Sequence, residues 1–286
     1  MFANLSPSTI GIKDWDYKSL IKLSKKFGFK GIDLYNNFTS IEEAKLAGEV
    51  LIEVDLEWGL FQLPCDFLNV GEKEFSEGMK KLYSMLPFVK AAGCKRAYNH
   101  IWPGSDSKSY EENLDWHVNR LQELGALLNS FDVKLGLEFI GAKTLRDSFS
   151  YPFIYNLTKT LELIDLVKPN IGIVIDFFHF YTSGSTLEEL VNIKDGNIIV
   201  NVHANDAYLG RSRDEQLDLE RTMPLESGIV DGASILRTIR GLDYKGPVIC
   251  EPFQPTINRL ASLKDEEIGE EVGKVMKALF DKSFNL

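Results

Sequence analysis

The sequence predicts a single-domain α/β protein, a (β/α)8 TIM barrel that spans residues 1–286. Apolar runs of strand length alternate eight times with amphipathic helical segments, a pattern typical of parallel sheets. A length of 286 residues is normal for a barrel of eight such units. An open doubly wound sheet is the alternative. However, the chain has no Gly-x-Gly-x-x-Gly after its first strand and no Gly-x-x-x-x-Gly-Lys-Ser/Thr motif, so nothing indicates a nucleotide-binding loop.

The first half of the chain contains four predicted strands. Gly28 ends a helix with apolar residues at helical spacing, and Pro64 ends the third strand. Pro87 lies within a long helix and is expected to kink or split it. Strands or extended segments are predicted at 5–12, 29–35, 56–63 and 94–101, and helices at 20–27, 41–54 and 73–92.

The second half repeats the alternation and ends on a helix. A loop at 141–156 carries several aromatic residues, and a long polar segment at 207–231 follows the seventh strand. Strands are predicted at 133–140, 171–176, 198–203 and 247–251, and helices at 106–130, 157–167, 187–193, 233–239 and 266–280.

Each strand of the second half ends on a side chain of a type that binds metal ions. These side chains are Glu138, Asp176, His203 and Glu251. The C-terminal ends of barrel strands meet at one face, so we expect the four groups to converge. Any one of them alone is readily explained as a helix cap, a salt bridge or a core histidine. Three carboxylates close together, however, repel one another unless a cation is present. An oxygen-rich set with one imidazole favours Mn²⁺, with Mg²⁺, Co²⁺ or Zn²⁺ as alternatives, over a closed structural zinc site.

Composition excludes several classes of function. The net charge is −10 and the pI is near 5.0, which argues against nucleic acid and against an anionic membrane surface as partners. The three cysteines form no Cys-x-x-Cys pair. No apolar run reaches the roughly 20 residues of a membrane span, and the N-terminus has no signal-peptide pattern. We therefore expect a cytoplasmic protein.

The motifs around the four residues resemble those of a known family. Gly-Leu-Glu-Phe, Ile-Asp-Phe-Phe-His, Val-His-Ala-Asn-Asp and Cys-Glu-Pro-Phe are similar to segments of the xylose-isomerase-like TIM barrels. The similarity is to the sugar isomerase/epimerase branch, which includes ketose 3-epimerases and inosose dehydratases. The resemblance implies that Glu138, Asp176, His203 and Glu251 hold a divalent metal. It also implies a small carbohydrate or polyol substrate and, as is usual in the family, a homo-oligomer.

The resemblance further implies a reaction class. A metal that chelates a ketone and the neighbouring hydroxyl makes the adjacent C–H acidic, because it stabilises an enediolate. Glu138 and Glu251 are then the acid and base, which move a proton from one face of that carbon to the other. Epimerisation or isomerisation is the expected outcome. A keto-inositol or keto-sugar dehydratase and a 3-keto-glycoside lyase remain alternatives, since each starts from the same enediolate.

Three more residues are assigned to the substrate through motifs or strand ends. His179 of Asp-x-x-His matches the histidine that contacts a substrate hydroxyl in the family. Asp206 is expected to orient His203 or the substrate, with turn formation as the alternative. His100 lies at the end of the fourth strand and is expected to line the pocket.

Two tryptophans and two arginines complete the predicted site. Trp58 and Trp102 are placed as aromatic walls for a sugar, with ordinary packing as the alternative. The 207–231 segment is expected to be a lid in which Arg211 or Arg213 reaches the substrate.

The sequence departs from the ketose 3-epimerase pattern at two positions. Leu209 stands where those enzymes place an arginine, and Thr144 stands where they place a glutamate. Two less favoured interpretations are an endonuclease of the same superfamily, which the acidic charge opposes, and a sugar-binding protein without catalysis. Retention of both Glu138 and Glu251 argues against the second, because binding alone requires no pair of proton-transfer groups.

Overall fold

A sheet of eight parallel strands forms the centre of the computed structural model, which describes residues 1–13, 15–35 and 37–284. We number these strands β1–β8 along the chain, and their order in the sheet is β3-β2-β1-β8-β7-β6-β5-β4. Each strand pairs in parallel with its neighbours. The strands are β1 (Phe2–Leu5), β2 (Gly31–Leu34), β3 (Glu57–Phe61), β4 (Arg96–Ile101), β5 (Lys134–Phe139), β6 (Ile171–Asp176), β7 (Ile199–Ala204) and β8 (Pro247–Cys250).

The sheet curls until its two edge strands, β3 and β4, meet. Side chains of β4 bridge this seam. The guanidinium Nη1 of Arg96 donates to the Trp58 carbonyl at 3.2 Å, and the Asn99 amide oxygen accepts from the Phe67 N–H at 3.0 Å. The predicted single (β/α)8 TIM barrel is therefore confirmed as the fold class, with the seam closed by side chains.

Helices cover the outside of the barrel, and none in the described ranges combines the length and apolar character needed to cross a bilayer. Two short strand pairs lie outside the barrel, Gly104–Ser105 with Tyr151–Pro152 and Glu220–Arg221 with Gln254–Pro255. The helices are α1 (Pro7–Ile10), α2 (Tyr17–Phe27), α3 (Ile41–Glu53), α4 (Glu72–Ala92), α5 (Tyr110–Asn129), α6 (Lys143–Arg146), α7 (Leu157–Val167), α8 (Phe177–Thr182), α9 (Leu187–Val191), α10 (Gly232–Gly241), α11 (Thr256–Leu260) and α12 (Asp265–Phe284).

One local prediction was wrong, and one of the two alternatives of a second was wrong. The stretch 5–12 is not extended throughout, because β1 ends at Leu5 and the helix α1 begins with Pro7. Proline suits the first position of a helix, because the backbone N–H that it lacks would have no partner within the helix. Helix α4 runs through Pro87 from Glu72 to Ala92 without splitting. Pro87 lies on the exposed side of α4, where water can satisfy the carbonyl that the proline leaves unpaired.

The barrel interior is packed with side chains and leaves no room for a site at mid-height. Gly136 of β5 faces inward, and a Cβ there would lie 2.7 Å from the Val174 side chain and 3.0 Å from that of Val200. All residues of β6 and β7 are buried. Polar side chains at the ends of these strands gather at the C-terminal end of the barrel, as in other barrels of this type.

Candidate active site

Four ionisable side chains meet at the C-terminal end of the barrel. Glu138 lies near the end of β5, Asp176 ends β6, His203 lies near the end of β7, and Glu251 directly follows β8. One potential ligand atom from each lies within 4.8 Å of the others. Each of these residues is buried. The structure thus brings together the four predicted ligands, and we call them the ligand cluster.

His203 lies between the two glutamates. Its Nδ1 is 3.0 Å from Oε1 of Glu138 and 3.2 Å from Oε2 of Glu251. Although burial opposes a charged imidazole, the two carboxylates raise the pKa of His203 well above its ordinary value. Burial also opposes a charge on Glu138, but the nearby His203 holds the pKa of that carboxyl well below its usual range.

Asp176 has two structural partners besides the cluster. Its Oδ1 accepts from the His179 N–H at 2.7 Å and so caps α8, while its Oδ2 accepts from the Asn205 amide at 2.7 Å. Burial raises the pKa of Asp176 to about 7, against the opposing effect of Arg221. The helix-cap role and the place in the cluster therefore coexist in one side chain.

Arg221 is a buried cation beside the cluster that the sequence did not single out. Its Nη1 donates to Asp176 at 3.1 Å and to Glu251 at 3.2 Å, and its Nη2 donates to Asp218 at 3.0 Å. The guanidinium lies over the rings of Phe178 and Phe253, which adds cation–π attraction. A short strand holds Arg221, because residues 220–221 pair with 254–255.

The cluster has the donors and the charge that a divalent cation requires. Its three carboxylates face one guanidinium, that of Arg221, so two negative charges remain when His203 is neutral. Nε2 of His203 is buried and has no hydrogen-bond partner among the described residues, although unpaired buried polar atoms are costly. Three carboxylates with one imidazole suit a divalent metal with open positions. The four-residue site therefore supports a divalent metal.

His179 lies in the first turn of α8 and contacts Arg221. Its Nδ1 accepts from the Gly141 backbone N–H at 3.1 Å, and its Nε2 lies 2.8 Å from Nη2 of Arg221 and 3.6 Å from Oδ1 of Asp218. Burial and the adjacent guanidinium lower the pKa of His179 well below its ordinary value. The predicted substrate contact is thus a neutral histidine next to the ligand cluster.

A cavity of about 340 Å³ opens beside His203, and we call it the inner cavity. Its walls come from the ends of β1–β4 and mix aromatic rings with hydroxyl, amide and carboxyl groups, as small-molecule sites do. No lysine or arginine lines it among the described residues. The polar and aromatic lining includes Ser6, Trp15, Asp33, Tyr35, Gln62 and Tyr98.

From the ends of β3 and β4, Gln62 and Asn99 line the inner cavity, whereas Trp58 and Trp102 do not. His100 lines it as well. Its Nε2 lies 3.3 Å from Oε2 of Glu138. Trp58 is buried, and its indole donates to the Ala92 carbonyl at 2.8 Å, which ties β3 to α4. Trp102 is 38% exposed and makes an edge-to-face contact with Phe149 in a separate cleft. The packing alternative describes Trp58 better than the substrate-wall prediction.

Asp206 anchors a loop and makes no hydrogen bond to His203. The buried carboxylate accepts backbone N–H groups of Ala207, Ser227, Gly228 and Val230 at 2.7–3.1 Å. The turn-forming alternative therefore fits its contacts. A carboxylate with several backbone donors fixes the path of the 222–230 segment that follows Arg221.

The two arginines predicted for substrate contact lie away from the ligand cluster. Arg211 pairs with Glu220 at 2.6 Å and contacts the Tyr208 ring. Arg213 is half-exposed and lies 3.7 Å from Asp214. Neither lines the inner cavity. The arginine that the 207–231 segment brings to the site is Arg221. One signal for it was available: Arg221 precedes the apolar Thr-Met-Pro-Leu, whereas the other two lie in a polar run.

Comparison with known proteins places this architecture in a family. The family model described as xylose isomerase-like TIM barrel matches residues 21–279. The chain belongs to the xylose isomerase-like TIM barrel family. The resemblance read from the four strand-end motifs is thereby confirmed at the level of the family.

Relatives within this family include enzymes and a zinc-containing structure. An inosose isomerase of Bacillus licheniformis is 29% identical over 202 residues, which cover 68% of this chain and 67% of that enzyme. The IolI protein with a bound zinc atom superposes with a TM-score of 0.79 at 22% identity and covers 100% of both chains. D-psicose 3-epimerase of Clostridium cellulolyticum H10 superposes with a TM-score of 0.71 at 14% identity, over 99% of both chains. These two structural comparisons show that the chain shares its fold with both proteins.

Proposed function

We propose that this protein is a divalent-metal-dependent isomerase or epimerase of a sugar or polyol ketone of the inosose kind. Glu138 and Glu251 are its proton-transfer groups, and Mn²⁺ is the preferred ion. The proposal rests mainly on one observation: two buried glutamates approach His203 from different strands, at 3.0 and 3.2 Å, beside a polar cavity. The inosose isomerase relatives support the substrate class.

The sheet order separates the two glutamates around the site. β5 carries Glu138 and β8 precedes Glu251, and β6 and β7 lie between them. A substrate carbon held over Asp176 and His203 thus has one carboxylate on each side. Transfer of a proton between two faces of a carbon needs this arrangement, because one group removes the proton and the other returns it.

Glu138, Asp176, His203 and Glu251 would hold the metal, which as a Lewis acid polarises the ketone and increases the acidity of the adjacent C–H. The protein groups perform the remaining steps. One glutamate accepts the proton from carbon, and the other donates a proton to the opposite face. Arg221 donates to Glu251 at 3.2 Å, which fixes the position of the carboxylate.

The inner cavity fits an uncharged polyol. Ser6, Gln62 and Tyr98 supply hydroxyl and amide groups. The rings of Trp15 and Tyr35, tilted by 55° with their centres 5.1 Å apart, form an aromatic wall. Asp33 is one of the carboxylates that line the cavity. It accepts from Asn4 and Ser6 at 2.7 and 2.5 Å, so its position is fixed before a ligand binds.

The direct test is to incubate a keto-inositol with the protein and Mn²⁺ in D₂O. The Mn²⁺ is removed after the reaction, and NMR spectra of the product are recorded. We expect the wild-type protein to exchange the proton next to the ketone and to form an isomer. Glu138→Gln and Glu251→Gln should reduce exchange at least about a hundredfold, as for loss of a general acid or base. Glu123→Gln, at an exposed position of α5, is the matched control and should retain full exchange.

Three outcomes decide between reaction types. An isomeric ketone with solvent deuterium supports the proposal. A product with ultraviolet absorbance from a conjugated bond identifies a dehydratase at the same site. Binding of the polyol without any deuterium exchange, in the presence of Mn²⁺, Mg²⁺, Co²⁺ or Zn²⁺, would show a binding protein and overturn the enzymatic role.

A further inference from the structure

A second cleft lies next to the inner cavity, and the proposed reaction does not use it. Its volume is about 350 Å³, and we call it the outer cleft. Rings of Trp102, Trp116 and Phe149 form walls, while Asn113 and Lys108 add polar groups. The outer cleft is therefore of similar volume to the cavity beside His203 and of similar chemical character.

Several contacts fix the walls of the outer cleft. The short pair of Gly104–Ser105 with Tyr151–Pro152 joins the loops after β4 and β5, and Asp106 accepts both the N–H and the hydroxyl of Ser150 at 3.0 and 3.1 Å. Phe149 packs so close to Gly104 that a Cβ there would lie 2.4 Å from it. The cleft is thus built by specific contacts rather than by loose loops.

The opposite wall is fixed to the same degree. The Trp116 indole donates to the Leu68 carbonyl at 2.9 Å, and the Arg120 guanidinium lies 3.6 Å from the ring centre of Trp116. Arg120 also donates to the carbonyls of Phe67 and Val70 at 2.7 Å. These bonds hold the segment that follows β3 against helix α5.

Asn113 supplies an unused hydrogen-bonding group in this wall. The residue is 6% exposed and lines the cleft. Its backbone N–H and carbonyl are paired with Ser109 and His117, but no hydrogen bond joins its side-chain amide to another described residue. The amide lines the cleft and is available to both donor and acceptor groups there, so a ligand with hydroxyl groups can hydrogen-bond to it.

The two cavities share a wall. Asp66 lines the inner cavity, whereas Asn69 and Trp102 line the outer cleft. Asn69 donates to Asp66 at 2.8 Å, and the Trp102 indole N–H lies 3.4 Å from the same carboxylate. The contact between Trp102, which is 38% exposed, and Asp66 therefore lies between the two cavities.

The chemistry of the outer cleft favours a neutral, hydroxylated ring over an anion. An amide both donates and accepts, as a sugar hydroxyl does, and aromatic faces are typical of sites for such ligands. Among the described residues that line the cleft, one is a cation, Lys108. Its ammonium already lies 4.2 Å from the ring centre of Trp116. The carboxylate of Asp106 lies in the same wall, so a phosphate would meet charges of both signs.

We propose that the outer cleft is a second carbohydrate subsite, which binds the second ring of a glycosidically linked substrate whose first ring occupies the inner cavity. This inference rests on the proposed function, because it extends the substrate of the same site. It predicts that the best substrate of this protein is a keto-glycoside or a glycosylated inosose rather than a single free ring.

Saturation-transfer-difference NMR tests the subsite by binding alone. The probes are sucrose, maltose and cellobiose, with D-glucose for comparison, on the full chain with Mg²⁺. We expect at least one disaccharide to receive saturation on both rings. Asn113→Leu removes the amide at similar volume, and Phe149→Ala removes an aromatic wall. Each substitution should weaken the binding of that disaccharide about tenfold, equivalent to ~1.4 kcal/mol, and leave the binding of glucose unchanged.

Tyr83→Ala is the matched control, because it truncates an aromatic ring of α4 that lines neither cavity. Phe149→Ala is independent of α5, so it tests the subsite even if Asn113→Leu does not fold. Saturation confined to one ring for every disaccharide, or none at all, overturns the inference. So does equal weakening by Tyr83→Ala. Because this readout needs no turnover, failure of proton exchange at the glutamates is a separate result.

Discussion

Nη1 of Arg221 lies 3.1 Å from Oδ2 of Asp176 in the buried ligand cluster. The same nitrogen lies 3.2 Å from Glu251, so one guanidinium contacts two of the four proposed metal ligands. Arg221 is 3% exposed, and the surrounding carboxylates hold its pKa above its ordinary value despite burial. Arg221 is therefore a permanent positive charge of the site.

Arg221→Met is expected to destabilise the fold strongly. It leaves the buried carboxylates of Asp176 and Glu251 without their cation, and loss of one partner of a buried ion pair typically costs about 3–5 kcal/mol. Urea unfolding measures the change. Arg211→Met is the control, since Arg211 pairs with the half-buried Glu220 and such pairs contribute about 1 kcal/mol or less. Equal effects of the two substitutions would show that Arg221 is not compensating the cluster.

The ligand cluster was predictable because each of its members ends an apolar strand. In Ile-Gly-Ile-Val-Ile-Asp176, for example, the strand pattern alone places the carboxylate at the C-terminal face of the barrel, and β6 has the predicted bounds. Strand alternation is a local property, so sequence reveals it. The family motifs then add the chemistry.

Arg221 and Trp58 show what the sequence could not provide. Arg211, Arg213 and Arg221 lie within one loop, and which of them enters the barrel mouth depends on pairing of 220–221 with the distant 254–255. The indole N–H of Trp58 donates to the carbonyl of Ala92, which lies 34 residues later in the chain. Both outcomes depend on tertiary contacts, which local periodicity does not encode.

Asp206→Ala is expected to loosen the 222–230 segment. Its carboxylate accepts the backbone N–H groups of Ser227, Gly228 and Val230, and each buried N–H left unpaired costs about 1–3 kcal/mol. Limited proteolysis should cut this segment faster, and urea unfolding should show lower stability. If Asp206 instead oriented the substrate, the variant would raise KM with proteolysis unchanged.

Tyr98→Phe is expected to reduce turnover without loss of stability. The Tyr98 ring lines the inner cavity, and its centre lies 5.0 Å from that of His203. No hydrogen bond joins its hydroxyl to another described residue, so the group is free to donate to a substrate oxygen. Loss of a bond to a charged oxygen costs about 1.5–3 kcal/mol, or about 10–100-fold in kcat/KM. Unchanged kinetics would assign Tyr98 to packing alone.

Because of His117, the free energy of unfolding is expected to decrease as the pH falls. Burial lowers its pKa from the ordinary value of 6.5 to about 4, although its ring nitrogen is bonded to the Asn113 carbonyl. Between these two pH values the unfolded chain binds the proton and the folded chain does not. The free energy of unfolding therefore decreases as pH falls through this range, by about 3 kcal/mol in total from this residue.

His117→Phe isolates this contribution, because phenylalanine keeps a ring against Phe153 and does not titrate. Urea unfolding of both proteins at about pH 7.5 and about pH 4.5 gives two differences in stability. We expect the free energy of unfolding of the wild type, relative to that of the variant, to be about 2–3 kcal/mol lower at the lower pH than at the higher pH. Other titrating groups are common to both proteins and cancel. A difference that is the same at both pH values would mean that His117 has the same pKa in the folded and unfolded chains, which would contradict the expected effect of burial.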